Sequence, residues 1–241
     1  MNIGVLLSGG VGSRISSDTP KQYIEINGRM MITYPLMTML KSRRFDVICI
    51  VADMSWRDAI DENVAGELSH FEDMETAAWD GRVYADPGRN RQESILHAME
   101  AVVGKQGDVI FIHDAARPFL SIEMIETVLG AIEGHDGVLP VLPMKDTVYL
   151  SEDGRVISEL IDRQKVYAGQ APEAFIYDKY YEANKALMPD DILKINGSTE
   201  PAVMAGMDIV MVRGYEGNYK VTTDADLERA TERGALRPDP V

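Results

Sequence analysis

Glycines and hydroxyls crowd the end of the first apolar run: Leu7-Ser8-Gly9-Gly10-Val11-Gly12-Ser13-Arg14, then Pro20-Lys21-Gln22. A glycine-rich turn at a strand end lets backbone N–H groups close on one anion, and fixed cations beside it hold phosphate oxygens. Ser8, Gly9, Gly10, Gly12 and Ser13 are therefore expected to cradle a nucleotide triphosphate, with Arg14 and Lys21 supplying positive charge. The plainer reading is a tight turn with two solvated cations; the arrival of Arg14 and Pro-Lys-Gln at this spacing favours the site. Two rival loops can be tested. A P-loop needs a lysine directly after its second glycine, and none follows Gly12. A dinucleotide fingerprint needs a small residue where Ile15 stands, so a nicotinamide-dependent oxidoreductase is only an alternative.

Other candidates lie far along the chain. Gly88-Arg89-Asn90-Arg91-Gln92-Glu93-Ser94 offers a close backbone approach at Gly88 and a small hydroxyl at Ser94 for a base or ribose. Arg91 taken alone reads as a helix-surface arginine. Asp114 follows the apolar run Val109–Ile112; a carboxylate just past a buried strand can hold Mg²⁺ or ligand hydroxyls, or simply form a turn. Arg117 fits bracing that loop as well as touching substrate, and His113 fits a structural hydrogen bond. Lys220 follows the last strand, with Thr222 and Thr223 just before a helix.

These residues need a scaffold that brings strand ends together. Short β-branched runs predict strands near Ile3–Leu7, Val47–Val51, Val83–Ala85, Val109–Ile112, Val138–Val141 and Ile209–Val212. Helical patterns alternate with them near Met31–Ser42, Ser55–Leu68, Arg91–Val103, Ile122–Ile132 and Asp224–Arg233. Thr223 and Asp226 have capping-box spacing. The alternation predicts an α/β fold with a doubly wound, mostly parallel open sheet, its site beyond the carboxyl ends of the strands. One domain is expected over 1–234. Within it, 144–170 reads as a protruding β-hairpin arm, Val148-Tyr149-Leu150 and Val156-Ile157 flanking an Asp153-Gly154 turn. An isolated hairpin is marginal in water, so the arm is expected to pack on a second subunit. Residues 235–241 read as a tail.

The chain has 241 residues and a net charge of −15, which argues against binding a nucleic-acid polymer. No apolar stretch is long enough to span a membrane and no signal peptide is visible, so a cytoplasmic location is expected. The single cysteine, Cys49, sits in an apolar strand and reads as a buried, inert thiol.

The motifs together resemble the cytidylyltransferases that activate 2-C-methyl-D-erythritol 4-phosphate or ribitol 5-phosphate. Besides those quoted, they include His113-Asp114-Ala115-Ala116-Arg117-Pro118, Lys145-Asp146-Thr147, Asp162-Arg163, Gln170-Ala171-Pro172-Glu173 and Asn218-Tyr219-Lys220-Val221-Thr222. The resemblance runs from Gly4 to about Arg233. It implies a Rossmann-like nucleotidyltransferase fold, CTP as substrate, a divalent cation such as Mg²⁺, and a homodimer formed through the arm. It implies catalytic roles for Arg14, Lys21 and Lys220 on the phosphates, and places Gly88, Arg91, Ser94 and Ala115 around the nucleotide. Asp114, Arg117, Asp146, Thr147, Arg163 and Glu200 would bind the polyol phosphate, the arm residues from the neighbouring subunit. The chain departs from the family where Thr-Pro-Gln is usual and Ala171-Pro172-Glu173 stands. It departs again where Thr-Asp-Glu-Ala is frequent and Ser198-Thr199-Glu200-Pro201 stands. Ser8-Gly9-Gly10, Gly169-Gln170 and Gly217–Lys220 lean toward the ribitol branch and His113–Arg117 toward the other. The acceptor stays open, as does a catalytically altered nucleotide-binding homologue.

Overall fold

The computed structural model describes residues 1–10, 15–71 and 76–235. Its strands in chain order are β1 (Asn2–Leu7), β2 (Glu25–Ile26), β3 (Arg29–Met30), β4 (Val47–Val51), β5 (Val83–Ala85), β6 (Val109–Asp114), β7 (Gly137–Pro143), β8 (Val148–Leu150), β9 (Glu159–Ile161), β10 (Tyr167–Gly169), β11 (Glu173–Ile176) and β12 (Ile209–Arg213). The helices are α1 (Thr33–Ser42), α2 (Met54–Leu68), α3 (Ala77–Asp80), α4 (Arg91–Val102), α5 (Ile122–Gly130), α6 (Tyr177–Lys185), α7 (Glu200–Met204) and α8 (Asp224–Ala235). No described helix is long and apolar enough to cross a membrane.

The sheet runs β10–β7–β11–β6–β1–β4–β5, with β12 on the other edge of β7. β1 pairs in parallel with β4 and β6, β4 with β5, and β12 with β7. β11 is antiparallel to both β6 and β7. It therefore enters the sheet at the end where β6 finishes, with Glu173 opposite Ile112. β6, β7 and β12 run the same way, so Leu7, Asp114, Arg213 and the entry of β11 lie along one edge. Strand alternation supplies two cores. Leu6, Ile48, Ile50 and Phe111 face α1, α2 and α5, whereas Val5, Cys49, Val51, Ile110 and Ile112 face α4 and α6. Cys49 is fully buried and burial pushes its thiol up to about 12, the inert state expected.

Two details correct the sequence reading. The arm hairpin forms, but its second strand is Glu159–Ile161, pairing Val148 with Ile161 and Leu150 with Glu159. Val156 and Ile157 lie in the exposed connection, where the Asp153 carboxylate accepts from the amides of Arg155 and Val156. Strand β11 was not expected, because Glu173-Ala-Phe-Ile is short and starts with a charge that an isolated sequence places outside.

Candidate active site

Asp114 closes β6, opposite Leu7 at the end of β1. Its side chain is 9% exposed and is the centre of a cationic cluster. Arg91 Nε donates to Oδ1 at 3.1 Å and Lys220 Nζ to Oδ2 at 3.0 Å, while Arg117 Nε stands 3.6 Å from Oδ2. Burial by itself would raise the carboxyl pKa. Arg91, Lys220 and Arg117 outweigh it and hold the group well below the usual carboxylate range. Arg91 is not the surface arginine that an isolated helix position suggests. Burial opposes its charge, but Asp114 and Glu173 push its pKa up. Arg117 also donates through an Nη to the Asn218 carbonyl at 2.8 Å, which makes it a brace between this loop and the one carrying Lys220. His113 is fully buried, its Nε2 lies 3.0 Å from the Arg117 carbonyl, and burial pushes its imidazole down to about 4; its role is structural.

The expectation that Asp114 can hold Mg²⁺ does not fit its surroundings. Both oxygens are engaged by cations, which would repel a divalent ion. Among the described residues no three His, Cys, Asp or Glu side chains gather to hold a metal.

The loop after β1 is built from the same edge. Ser8 spends its hydroxyl on the Val51 carbonyl at 2.6 Å, tying β1 to β4, and its own carbonyl accepts from Tyr23 Oη at 3.0 Å. Gln22 Nε2 donates to the carbonyls of Ser8 and Gly10, which shapes Ser8-Gly9-Gly10. Gln22 thus has a loop-forming role that its place in Pro20-Lys21-Gln22 marked without naming. Lys21 Nζ donates to the Val221 carbonyl at 3.0 Å. Lys21 is therefore tied, across about two hundred residues of chain, to the backbone of the segment that carries Lys220. Gly12, Ser13 and Arg14 lie outside the described residues.

Gly88-Arg89-Asn90 forms the N-terminus of α4. The Asn90 side chain caps it by accepting from the Glu93 amide at 2.8 Å, and Ser94 Oγ accepts from the Gly88 amide at 2.9 Å. A Cβ on Gly88 would stand 2.7 Å from backbone atoms of Glu93 and Ser94, so only glycine fits this approach. Ala115 is fully buried and its amide donates to the Leu7 carbonyl, leaving it a spacer in the floor of the site.

The two departures from the family pattern touch. Glu173 is 7% exposed and accepts hydrogen bonds from the hydroxyls of Ser198 and Thr199, the latter at 3.1 Å. The carboxylate missing at position 199 is thus present, buried, at 173. Burial raises the Glu173 pKa, with Arg91 and the Ser198 hydrogen bond opposing. Ala171 is buried and its carbonyl accepts from Asn218 Nδ2 at 2.7 Å. Glu200 begins α7 and accepts from the Asn196 amide at 2.9 Å. Asp146, Thr147 and Arg163 sit at the base of the arm, where Arg163 donates to the Lys145 carbonyl at 2.8 Å. Among the described residues no hydrogen bond or ion pair joins these three to the Asp114 cluster.

A family model for 2-C-methyl-D-erythritol 4-phosphate cytidylyltransferase, IspD, matches residues 3–233. The chain belongs to the IspD family. As a member it is a nucleotidyltransferase of the cytidylyltransferase type. It is 32% identical over 232 residues to the 2-C-methyl-D-erythritol 4-phosphate cytidylyltransferase of Thermotoga neapolitana, covering 95% of each chain. It is 30% identical to the bifunctional enzyme IspD/IspF of Paramagnetospirillum magneticum, of which it spans 55%. Among solved structures, 4-diphosphocytidyl-2C-methyl-D-erythritol synthase from Anaerococcus prevotii superposes with a TM-score of 0.79 at 22% identity, covering 98% of both chains. The IspD of Francisella tularensis superposes at 0.76 and 22% identity, covering 96% of this chain and 99% of that one. Both likenesses concern the α/β fold.

Proposed function

We propose that the enzyme transfers CMP from CTP to 2-C-methyl-D-erythritol 4-phosphate, releasing pyrophosphate. The observation that carries the reading is the gathering of Lys220, Arg91 and Arg117 around Asp114 on one sheet edge, with Lys21 held on the Val221 carbonyl next to Lys220 in sequence, in a chain whose net charge is −15. An acceptor phosphate oxygen attacks the α-phosphorus, the bond from that phosphorus to the bridging β-oxygen breaks, and pyrophosphate leaves with the electron pair. The nucleophile is already anionic, so neither a general base nor a covalent enzyme intermediate is required. The obstacle is bringing two polyanions together, and the lysines and arginines offset it. Lys220 begins on Asp114 and would trade that carboxylate for phosphate as substrates enter. The protein builds no ligand set for a divalent cation at Asp114, so no step is routed through one.

The family model and the named relatives favour methylerythritol phosphate as acceptor. Ribitol 5-phosphate is the second reading, favoured by Ser8-Gly9-Gly10 and by Ala171, which lacks the hydroxyl usual there. The buried carboxyl at 173, hydrogen-bonded to Ser198 and Thr199, speaks against an inactive homologue, since the acidic motif still has a carboxyl group beside it. Self-association through the arm belongs to the same proposal. Tyr149, Leu150, Val156, Ile157 and Leu160 are exposed on it, and a cavity of about 750 Å³ at its base is lined by Val141, Met144, Tyr167 and Met211. The test is pyrophosphate release with CTP, ATP or GTP against a panel of polyol phosphates. Turnover with CTP and methylerythritol phosphate is expected, at least a hundredfold above ribitol 5-phosphate; the reverse ratio replaces the acceptor, and silence across the panel rejects the reading.

A further inference from the structure

Lys220 lies on an irregular connection, 214–223, and its Nζ must be held to within a fraction of an ångström to act on a phosphate. Helix α8 supplies the hold. Arg233 donates from one Nη to the Gly217 carbonyl at 2.6 Å and from the other to Tyr215 Oη at 3.3 Å. Its guanidinium also lies over the Phe119 ring, 4.2 Å from the centroid, and 5.7 Å from that of Tyr215. Phe119 follows the Asp114–Arg117 turn, and Tyr215 and Gly217 precede Lys220. One side chain therefore grips both connections whose tips form the Asp114–Lys220 ion pair. Gly217 permits the grip, since a Cβ there would fall on the Tyr215 ring and 2.7 Å from the Arg233 guanidinium. Neighbouring contacts run the same way. Arg229 lies over the Tyr219 ring at 4.4 Å, and at the start of α8 Asp224 accepts from the Ser16 amide and hydroxyl.

We infer that Arg233 is a positioning residue for Lys220: by clamping the 214–221 loop against the loop after β6, it sets the lysine's place over the reacting phosphates. The inference rests on the cytidylyltransferase reading, and wild-type turnover tests that reading separately. A double-mutant cycle tests the inference. Arg233→Met keeps length and loses the donors. It is expected to lower kcat about tenfold while KM for CTP moves less than about twofold, with Arg233→Lys recovering most of the loss. In a Lys220→Ala background the same change is expected to leave the residual kcat unaltered. An equal loss in both backgrounds, or wild-type kcat in Arg233→Met, overturns the inference. If Arg233→Met does not fold, Gly217→Ala, which displaces the same clamp from the loop side, carries the same cycle with the same two outcomes. Amide hydrogen exchange reads the clamp without turnover. Loop 214–221 is expected to exchange about tenfold faster in the variant while β1 and β6 stay protected, and unchanged loop exchange overturns the inference whatever the substrate proves to be.

Discussion

Replacing Lys220 with alanine tests the proposed chemistry most directly. Lys220 Nζ stands 3.0 Å from Asp114 Oδ2. At an effective dielectric of about 20, a pair at that distance attracts by about 5 kcal/mol. On the proposed mechanism, binding CTP would exchange this carboxylate for a phosphate, so the attraction gained would largely be the attraction given up, and ground-state affinity would owe Lys220 little. The balance changes when the α-phosphorus gains a fifth oxygen and pyrophosphate departs, because the charge to be met then exceeds that of the carboxylate left behind. Losing such a contact costs about 3–4 kcal/mol, or roughly 10²–10³ in turnover. Asp114 keeps Arg91 at 3.1 Å and Arg117 at 3.6 Å, so its charge is still met and the fold should survive. Steady-state kinetics with calorimetric CTP titration should therefore show kcat reduced by roughly 10²–10³ and Kd for CTP raised by no more than about fivefold. A near-wild-type kcat, or a loss confined to CTP affinity, would refute this exchange.

Asp114→Asn leaves three cations around a neutral amide and should destabilise the fold by about 3–5 kcal/mol in chemical denaturation at pH 7. The folded carboxylate releases its proton more readily than the unfolded one. Its stabilisation is therefore complete above about pH 4 and is lost below that, and the variant's deficit should shrink there. His113 acts in a different window. Its pKa is pushed down to about 4, so the unfolded chain binds the extra proton as pH falls from about 6.5 to 4, costing about 3 kcal/mol. Denaturation of His113→Gln across that range should lack this slope. Gly88→Ala forces backbone apart at the α4 cap and should cost about 1–3 kcal/mol of stability and weaken CTP binding about tenfold, read by thermal melting and calorimetry. Changing Leu150, Ile157 and Leu160 together to serine should shift sedimentation toward monomer and reduce turnover; an unchanged oligomeric state with full activity would remove the arm from the proposal.

The sequence by itself determined the layered frame and the residue types at the site. Val47–Val51 and Val83–Ala85 fall where β-branched runs place them, and the Thr223–Asp226 capping box forms as its spacing requires, with each backbone amide accepted by the other's side chain. These features are local, so a short window holds all the information. Asp114 and Lys220 were likewise legible as candidates from their places at strand ends, and the structure pairs them. What touches what was decided only by tertiary structure. Whether Arg91 is a free surface arginine or the half-buried partner of the buried Asp114 depends on β6 arriving beside α4, twenty-three residues away in sequence. Glu173 enters the sheet only because β11 runs antiparallel between β6 and β7, and burial there raises the pKa of its carboxyl. The clamp of Arg233 on Gly217 joins a surface-looking helix to a loop sixteen residues back, through a rotamer and a carbonyl that no periodicity encodes. Burial and hydrogen-bond partners are properties of the assembled sheet edge, and a side chain's pKa and reach follow from them.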